Sequence, residues 1–183
     1  MRASLSLLGL LGGFALSRAQ TTGKLGDAVI VTNNPPGVEY AAKFTGSITG
    51  WANASSAAGG KGVSFNISVS GLPTEKGPFK YHIHVNPVPS DGNCTGTGGH
   101  LDPFQREDTP ACDSTKPATC EVGDLSGKYG TVTGPVALKS FVDLYTALVP
   151  TDVAFFGNRS IVFHDASSAR IACANFTLVE PVE

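Results

Sequence analysis

Charge is scarce in this sequence, and signs of helix are scarcer. Charged residues make up 15% of the chain, with a net charge of -2. They form no basic stripe of the kind that neutralises phosphates, which argues against nucleic acid as a partner. No stretch keeps the three-to-four residue apolar spacing of a long helix. The longest apolar region, Leu5 to Leu16, is short and broken by Gly9, Gly12 and Gly13, so it does not read as a membrane span. Histidine occurs only four times in the chain, so any site built from imidazole must draw on His82, His84, His100 and His164.

What is present at the amino terminus points to export. Arg2 precedes the apolar run, and the small residues Ser17 and Ala19 flank an exit before Gln20. That order predicts a secretory signal peptide over 1–19. The remainder, 20–183, is long enough for one domain with its own core. Asn-x-Ser/Thr triplets at Asn53, Asn66, Asn93, Asn158 and Asn175 fit a glycosylated extracellular protein. The closing residues Leu178 to Glu183 carry no lipid-anchor signal, so free secretion is expected and association with the cell wall stays open. Cys94, Cys112, Cys120 and Cys173 read as two disulfides in an oxidising compartment, with three connectivities allowed.

Short alternating runs dominate the mature part. In Val63 to Val69 the odd positions are apolar and the even ones polar, as in a strand with one dry and one wet face. Further strands are expected at Ala28 to Thr32, Tyr40 to Trp51, Phe79 to Val85, Thr131 to Leu138, Ser160 to His164 and Arg170 to Leu178, with Phe141 to Leu148 undecided between helix and strand. Six or more short strands without βαβ alternation imply an all-β antiparallel sandwich or barrel. The stretch Asn86 to Glu121 lacks periodicity and holds three of the cysteines and one histidine. A loop of that length in a compact domain is usually functional or disulfide-tied.

The histidines carry the strongest signal. In Phe79-Lys80-Tyr81-His82-Ile83-His84-Val85 the apolar residues share one strand face and His82 and His84 share the other. Period two therefore sets two imidazoles side by side on a rigid element. His100 follows Gly98-Gly99 in the loop, where glycine lets the backbone turn back toward the strand. His164 ends the apolar run Ile161-Val162-Phe163. All-imidazole ligation suits copper or zinc, and ligand type alone does not choose between them.

The order Tyr81-His82-Ile83-His84, Cys94, His100, Gly123-Asp124-Leu125-Ser126-Gly127, His164, Arg170 and Cys173 resembles the copper/zinc superoxide dismutases. The resemblance implies an antiparallel Greek-key sandwich or barrel. His82, His84 and His164 would be copper ligands, and His100 the residue that bridges copper to zinc. Arg170 would be the catalytic cation that attracts superoxide. Cys94 would pair with Cys173, closing a loop of about eighty residues worth roughly 4 kcal/mol in the chain-entropy description. Cys112 would then pair with Cys120.

Two departures narrow the resemblance. No histidine lies between His100 and the Gly-Asp-Leu motif, so zinc has too few ligands. Only Asp165 to Ala169 separate His164 from Arg170, where the zinc-containing enzymes carry a long charged loop. Both losses make the chain more similar to the extracellular copper-only superoxide dismutases of fungi. In that group a glutamate and an aspartate stand near the copper histidines, here Glu121 and Asp124. The expected protein is a secreted antioxidant oxidoreductase with one copper ion and no zinc per chain, and superoxide as its substrate. A copper-buffering protein of the same fold is the alternative, since affinity and turnover use the same ligands.

Overall fold

The computed structural model describes residues 22–180; the expected signal peptide at 1–19 lies outside them. The described chain is all-β. Seven strands form one antiparallel sheet that curls into a half-barrel: β1 (Glu39–Thr45), β2 (Thr49–Ser56), β3 (Val63–Ser70), β4 (Lys80–His84), β5 (Val136–Asp143), β6 (Ser160–His164) and β7 (Arg170–Leu178). Their order across the sheet is β4-β6-β7-β1-β2-β3-β5. A short helix, α1 (Leu125–Tyr129), packs against β4.

Alternation in the sequence becomes alternation in burial. Along β3, Val63, Phe65, Ile67 and Val69 are buried while Asn66 faces water. The concave side is filled largely by aromatic rings, with Phe65 stacked on Phe141 at 5.4 Å, Phe44 edge-on to Phe163 at 5.4 Å, and Phe156 edge-on to Phe176 at 4.8 Å. Rings of this size contribute large buried area, and edge-to-face contacts add a further ~0.5–1.5 kcal/mol each.

Several expected strands change shape. Ala28 to Thr32 is extended but belongs to no strand; its backbone donates singly, Ala28 N to Ala118 O and Val31 N to Leu144 O. Val31 and Ala28 are buried all the same, so apolar content marked burial there and not ladder pairing. Tyr40 to Trp51 is two strands, because Gly46-Ser47-Ile48 turns the chain between β1 and β2. Thr131 to Leu138 is strand only from Val136, after a cis Gly134-Pro135 peptide; Val132 makes an isolated bridge to Phe79. Phe141 to Asp143 finishes β5, and the chain then leaves the sheet.

Two disulfides fasten the long loop. Cys94 is bonded to Cys173 on β7, with Cα atoms 5.7 Å apart, and Cys112 to Cys120, with Cα atoms 5.0 Å apart. Between them the loop contains only two short 3-10 turns, at Cys94–Thr97 and Pro117–Thr119.

One polar exception to this core is Asp143, which is fully buried. Its Oδ1 accepts from Lys128 Nζ at 2.7 Å and Tyr129 Oη at 2.8 Å, while its Oδ2 accepts from Thr146 N at 2.9 Å. Both charged side chains are fully buried, and Lys128 also donates to Val122 O at 2.9 Å. The pair anchors α1 to the end of β5, and so fixes the segment from Val122 to Tyr129. Removing one partner leaves a charge without compensation. Asp143→Ala is therefore expected to lower stability by about 3–5 kcal/mol in denaturant unfolding; a loss under about 1 kcal/mol would show that Lys128 finds water or another acceptor.

Candidate metal centre

The site is assembled around the middle of β4. Ile83 N donates to Gly123 O at 2.9 Å, Ile83 O accepts from Leu101 N at 2.8 Å, and Gly123 N donates to Leu101 O at 2.7 Å. Two distant loop segments are thereby clipped to the strand that carries His82 and His84. Gly123 is needed for this approach, since a Cβ there would stand 2.3 Å from Ile83 O. The clip delivers His100, which forms an isolated bridge with His84, and Glu121 and Asp124 on either side of Gly123. His164 arrives from β6, whose register sets Lys80 opposite His164.

All four imidazoles meet. One nitrogen from each lies within 4.8 Å of the others, and among the described residues this is the one group of three or more His, Cys, Asp or Glu side chains so placed. His84 and His164 approach with Nε2 atoms 3.2 Å apart. His82, His84 and His164 are buried and His100 is partly so.

The outer nitrogen of each ring faces a protein acceptor. His82 Nε2 is 3.3 Å from Asp124 Oδ1, His84 Nδ1 is 2.9 Å from Gly98 O, His100 Nδ1 is 2.5 Å from Glu121 Oε2, and His164 Nδ1 is 3.2 Å from Ser168 O. Carbonyls and carboxylates can only accept, so each outer nitrogen carries the proton and each inner nitrogen keeps its lone pair. Four inner lone pairs then point into one small space. His82 Nδ1 is buried there with no hydrogen-bond partner at all. A buried acceptor of this kind is costly unless something binds it. A cation that prefers neutral nitrogen ligands, copper or zinc, satisfies it.

The electrostatics favour neutral rings over most of the cluster. Burial, with the charges of His100 and Arg170 and the neighbouring imidazoles added, holds His84 at about 3 and His164 at about 4, against the hydrogen bonds these rings donate to the carbonyls of Gly98 and Ser168. Burial also lowers His82, although Asp124 pulls the other way. For His100 burial likewise opposes charge, but the hydrogen bond and charge of Glu121 outweigh it and raise the ring. Asp124 is held at about 2 despite its burial, chiefly by His82 and by Gly127 N.

Arg170 stands on the wall of the cleft above the cluster. Its Nη1 donates to Cys94 O at 2.8 Å, Thr95 O at 3.2 Å and Thr97 Oγ1 at 2.8 Å, and its Nη2 to Gly98 O at 2.6 Å. The cleft has a volume of about 390 Å³ and is lined by His82, His100, His164, Glu121, Asp124 and Lys80 among others. The short connection from His164 to Arg170 is a tight turn held by Asp165, whose Oδ1 accepts from Ser167 N at 2.9 Å and Ala169 N at 3.0 Å. That turn presents Ser168 O to His164.

No protein-family model matches the chain. A cell surface Cu-only superoxide dismutase of Arthroderma benhamiae is 43% identical over 98% of this chain and 56% of the relative. Cell surface Cu-only superoxide dismutase 5 of Candida albicans is 35% identical over 93% of this chain and 71% of the relative. The chain belongs to the copper-only superoxide dismutase family. Its fold agrees with a solved structure of Candida albicans superoxide dismutase 5 with Cu(II), at 35% identity and a TM-score of 0.72, covering 80% of this chain and 95% of that one. The chain spans little more than half of the Arthroderma relative's length.

Sequence reasoning within this family missed Lys80, Gly98, Thr97 and Ser168. Lys80 was findable, since it shares a strand face with His82 and His84. Gly98 and Ser168 act through their carbonyls, which side-chain patterns do not reveal.

Depressed histidines make stability depend on pH in a defined direction. Between the folded values of about 3 and about 4 and the unfolded value of 6.5, His84 and His164 bind protons in the unfolded chain but not in the folded one. Stability of the metal-free protein should therefore fall as pH drops through that window. His100, being raised, keeps its full contribution throughout that window and loses it only as pH rises through its folded value, so it opposes the trend above 6.5 and not within the window. Thermal melting of metal-free protein is expected to be lower at about pH 5 than at about pH 6.5. Equal melting points would show that the inner nitrogens are not held neutral.

Proposed function

We propose that this chain is an exported superoxide dismutase that converts two superoxide anions and two protons into oxygen and hydrogen peroxide, using copper and no zinc. The observation that carries the reading is the buried, partnerless His82 Nδ1 facing three other imidazoles at the base of a cleft open to small solutes. Copper, when bound, would supply one-electron exchange with successive superoxide anions. His82 Nδ1 and the Nε2 atoms of His84, His100 and His164 would hold it.

The rest of the work falls to the chain. Glu121 fixes the far side of His100, the position at which zinc stands in the two-metal relatives, and Asp124 does the same for His82. Partners of this kind set the tautomer and orientation of a ligand and typically change affinity or activity by ~10 to 100-fold. Arg170, pinned to four acceptors, offers a fixed positive charge to an incoming monoanion. Lys80 adds a second cation at the rim. A fixed cation beside the open cleft over the cluster favours turnover over copper storage.

Export is supported by the expected signal peptide at 1–19, by the acceptor triplets at Asn53, Asn66, Asn93, Asn158 and Asn175, and by the two disulfides. The relatives' names place them at the cell surface, and a cell-wall location fits the same reading.

Metal analysis of purified, metal-loaded protein is expected to give one copper per chain without stoichiometric zinc, and the loaded sample is expected to dismutate superoxide. Copper-bound but inactive protein would support the buffering alternative. Arg170→Ala should slow the reaction at unchanged copper content. Added salt should slow the unmodified protein more than the variant, since attraction to a fixed charge is screened within about 8 Å at physiological ionic strength. Equal salt sensitivity would remove Arg170 from the proposal.

A further inference from the structure

The outward face of β2, β3 and β5 carries apolar side chains that the described residues leave uncovered. Trp51 on β2 is 42% exposed, and Val136, Leu138 and Val142 on β5 are 59%, 76% and 46% exposed. β5 ends the sheet order, so this apolar face borders a sheet edge. Such a combination invites association with other chains.

Strand register shows what lies at the centre of the face. Trp51 pairs with Ser68 and Ser68 with Leu138; Asn53 pairs with Asn66 and Asn66 with Ser140; Ser55 pairs with Ser64 and Ser64 with Val142. Asn66 therefore has Trp51, Leu138 and Val142 as diagonal neighbours, about 7–8 Å away. Along β3 its neighbours on the same face are Ser64 and Ser68, whose small side chains leave depth beside the walls formed by Trp51 and Leu138.

Asn66-Ile67-Ser68 is also an acceptor triplet for N-glycosylation. Asn66 is exposed, its Oδ1 accepts from Ser140 Oγ at 2.8 Å, and its Nδ2 has no partner. Other triplets are placed differently. Asn53 lies directly opposite and is less exposed, and two glycans attached about 5 Å apart would compete for the same space. Asn175 spends both ends of its amide on Val88, with Oδ1 accepting from Val88 N at 2.6 Å and Nδ2 donating to Val88 O at 3.3 Å.

We propose that Asn66 carries an N-linked glycan whose first N-acetylglucosamine units lie over Trp51, Leu138 and Val142 and complete the surface of the half-barrel. The proposal rests on the reading that the chain is exported. In the attachment step Asn66 Nδ2 attacks the anomeric carbon of an oligosaccharide carried on a lipid diphosphate. The new carbon–nitrogen bond replaces the anomeric carbon–oxygen bond, the lipid diphosphate leaves, and the amide proton passes to a base of the transferase. No oxidation or reduction is involved. A sugar ring has a face of C–H groups and a rim of hydroxyls. The face covers the indole and the aliphatic walls, and the rim stays in water, so the apolar surface is removed without burying a polar group.

Trp51 is the single tryptophan of the chain, so its fluorescence reports on this face alone. The test uses the full chain secreted by a fungal host and purified from the medium. Peptide mass mapping reads occupancy at Asn66, and acrylamide quenching of Trp51 is measured before and after enzymatic removal of glycans from the folded protein. The expected result is an occupied Asn66, with stronger quenching and a red-shifted emission after removal. Ser68→Ala, which abolishes the triplet and keeps Asn66, should match the enzyme-treated sample, and Asn53→Gln should match the untreated one. Secreted protein with a bare Asn66, or an occupied Asn66 with unchanged quenching on removal, would overturn this proposal alone. Shielding that survives removal and disappears on dilution would assign the face to a second copy and overturn it as well. Retention in the cell with a bare Asn66 would overturn the export reading and this one together.

Discussion

Four imidazole N–H groups, each donated outward to a fixed acceptor, are the constraint on which this structure turns. Once Asp124, Gly98, Glu121 and Ser168 have taken those protons, the opposite nitrogens have only lone pairs to present, and they present them to one another. Such a cluster is unfavourable by itself and favourable around a cation, so the acceptors select a metal-binding state before any metal arrives. The surroundings serve that arrangement. The Ile83–Gly123–Leu101 clip brings the loop residues to β4, the Cys94–Cys173 bond ties the loop to β7, and the Lys128–Asp143 pair holds the segment that carries Asp124.

Much of this was legible in the sequence, for identifiable reasons. His82 and His84 announce themselves because a strand has period two and its other face, Tyr81 and Ile83, is plainly apolar. The alternation of Val63 to Val69 is equally direct. Glu121 and Asp124 were reachable through the resemblance to a known family, and the structure puts both within reach of histidine nitrogens. Hidden elements depend on the backbone or on tertiary context. The 28–32 segment looks like a strand because it is apolar and buried, yet its amides find scattered carbonyls. The helix at Leu125–Tyr129 is too short to show a period, and its start is set by Asp124, whose side chain accepts from Gly127 N as it contacts His82. One carboxylate thus caps a helix and orients a ring.

The acidic partner of His100 and the short connection after His164 together shape the site in this fold. Where zinc would brace the far side of His100, Glu121 does so with a single 2.5 Å contact. Where a long loop would wall the cleft, Asp165 closes a five-residue turn that gives His164 its acceptor and leaves the approach open. Arg170 then becomes prominent, because its charge is held by backbone carbonyls of the disulfide-tied loop and projects from a cleft with few other cations. The uncovered apolar face lies elsewhere, on β2, β3 and β5, so a glycan there would leave the cleft over β4 and β6 free.

The proton positions in the cluster are the most direct point of test. Nitrogen NMR of 15N-labelled, metal-free protein at about pH 8 distinguishes the two neutral tautomers of each ring. The account predicts the proton on Nε2 of His82 and on Nδ1 of His84, His100 and His164, with all four inner nitrogens bare. A proton on His82 Nδ1, or on the Nε2 of His84 or His164, would contradict it.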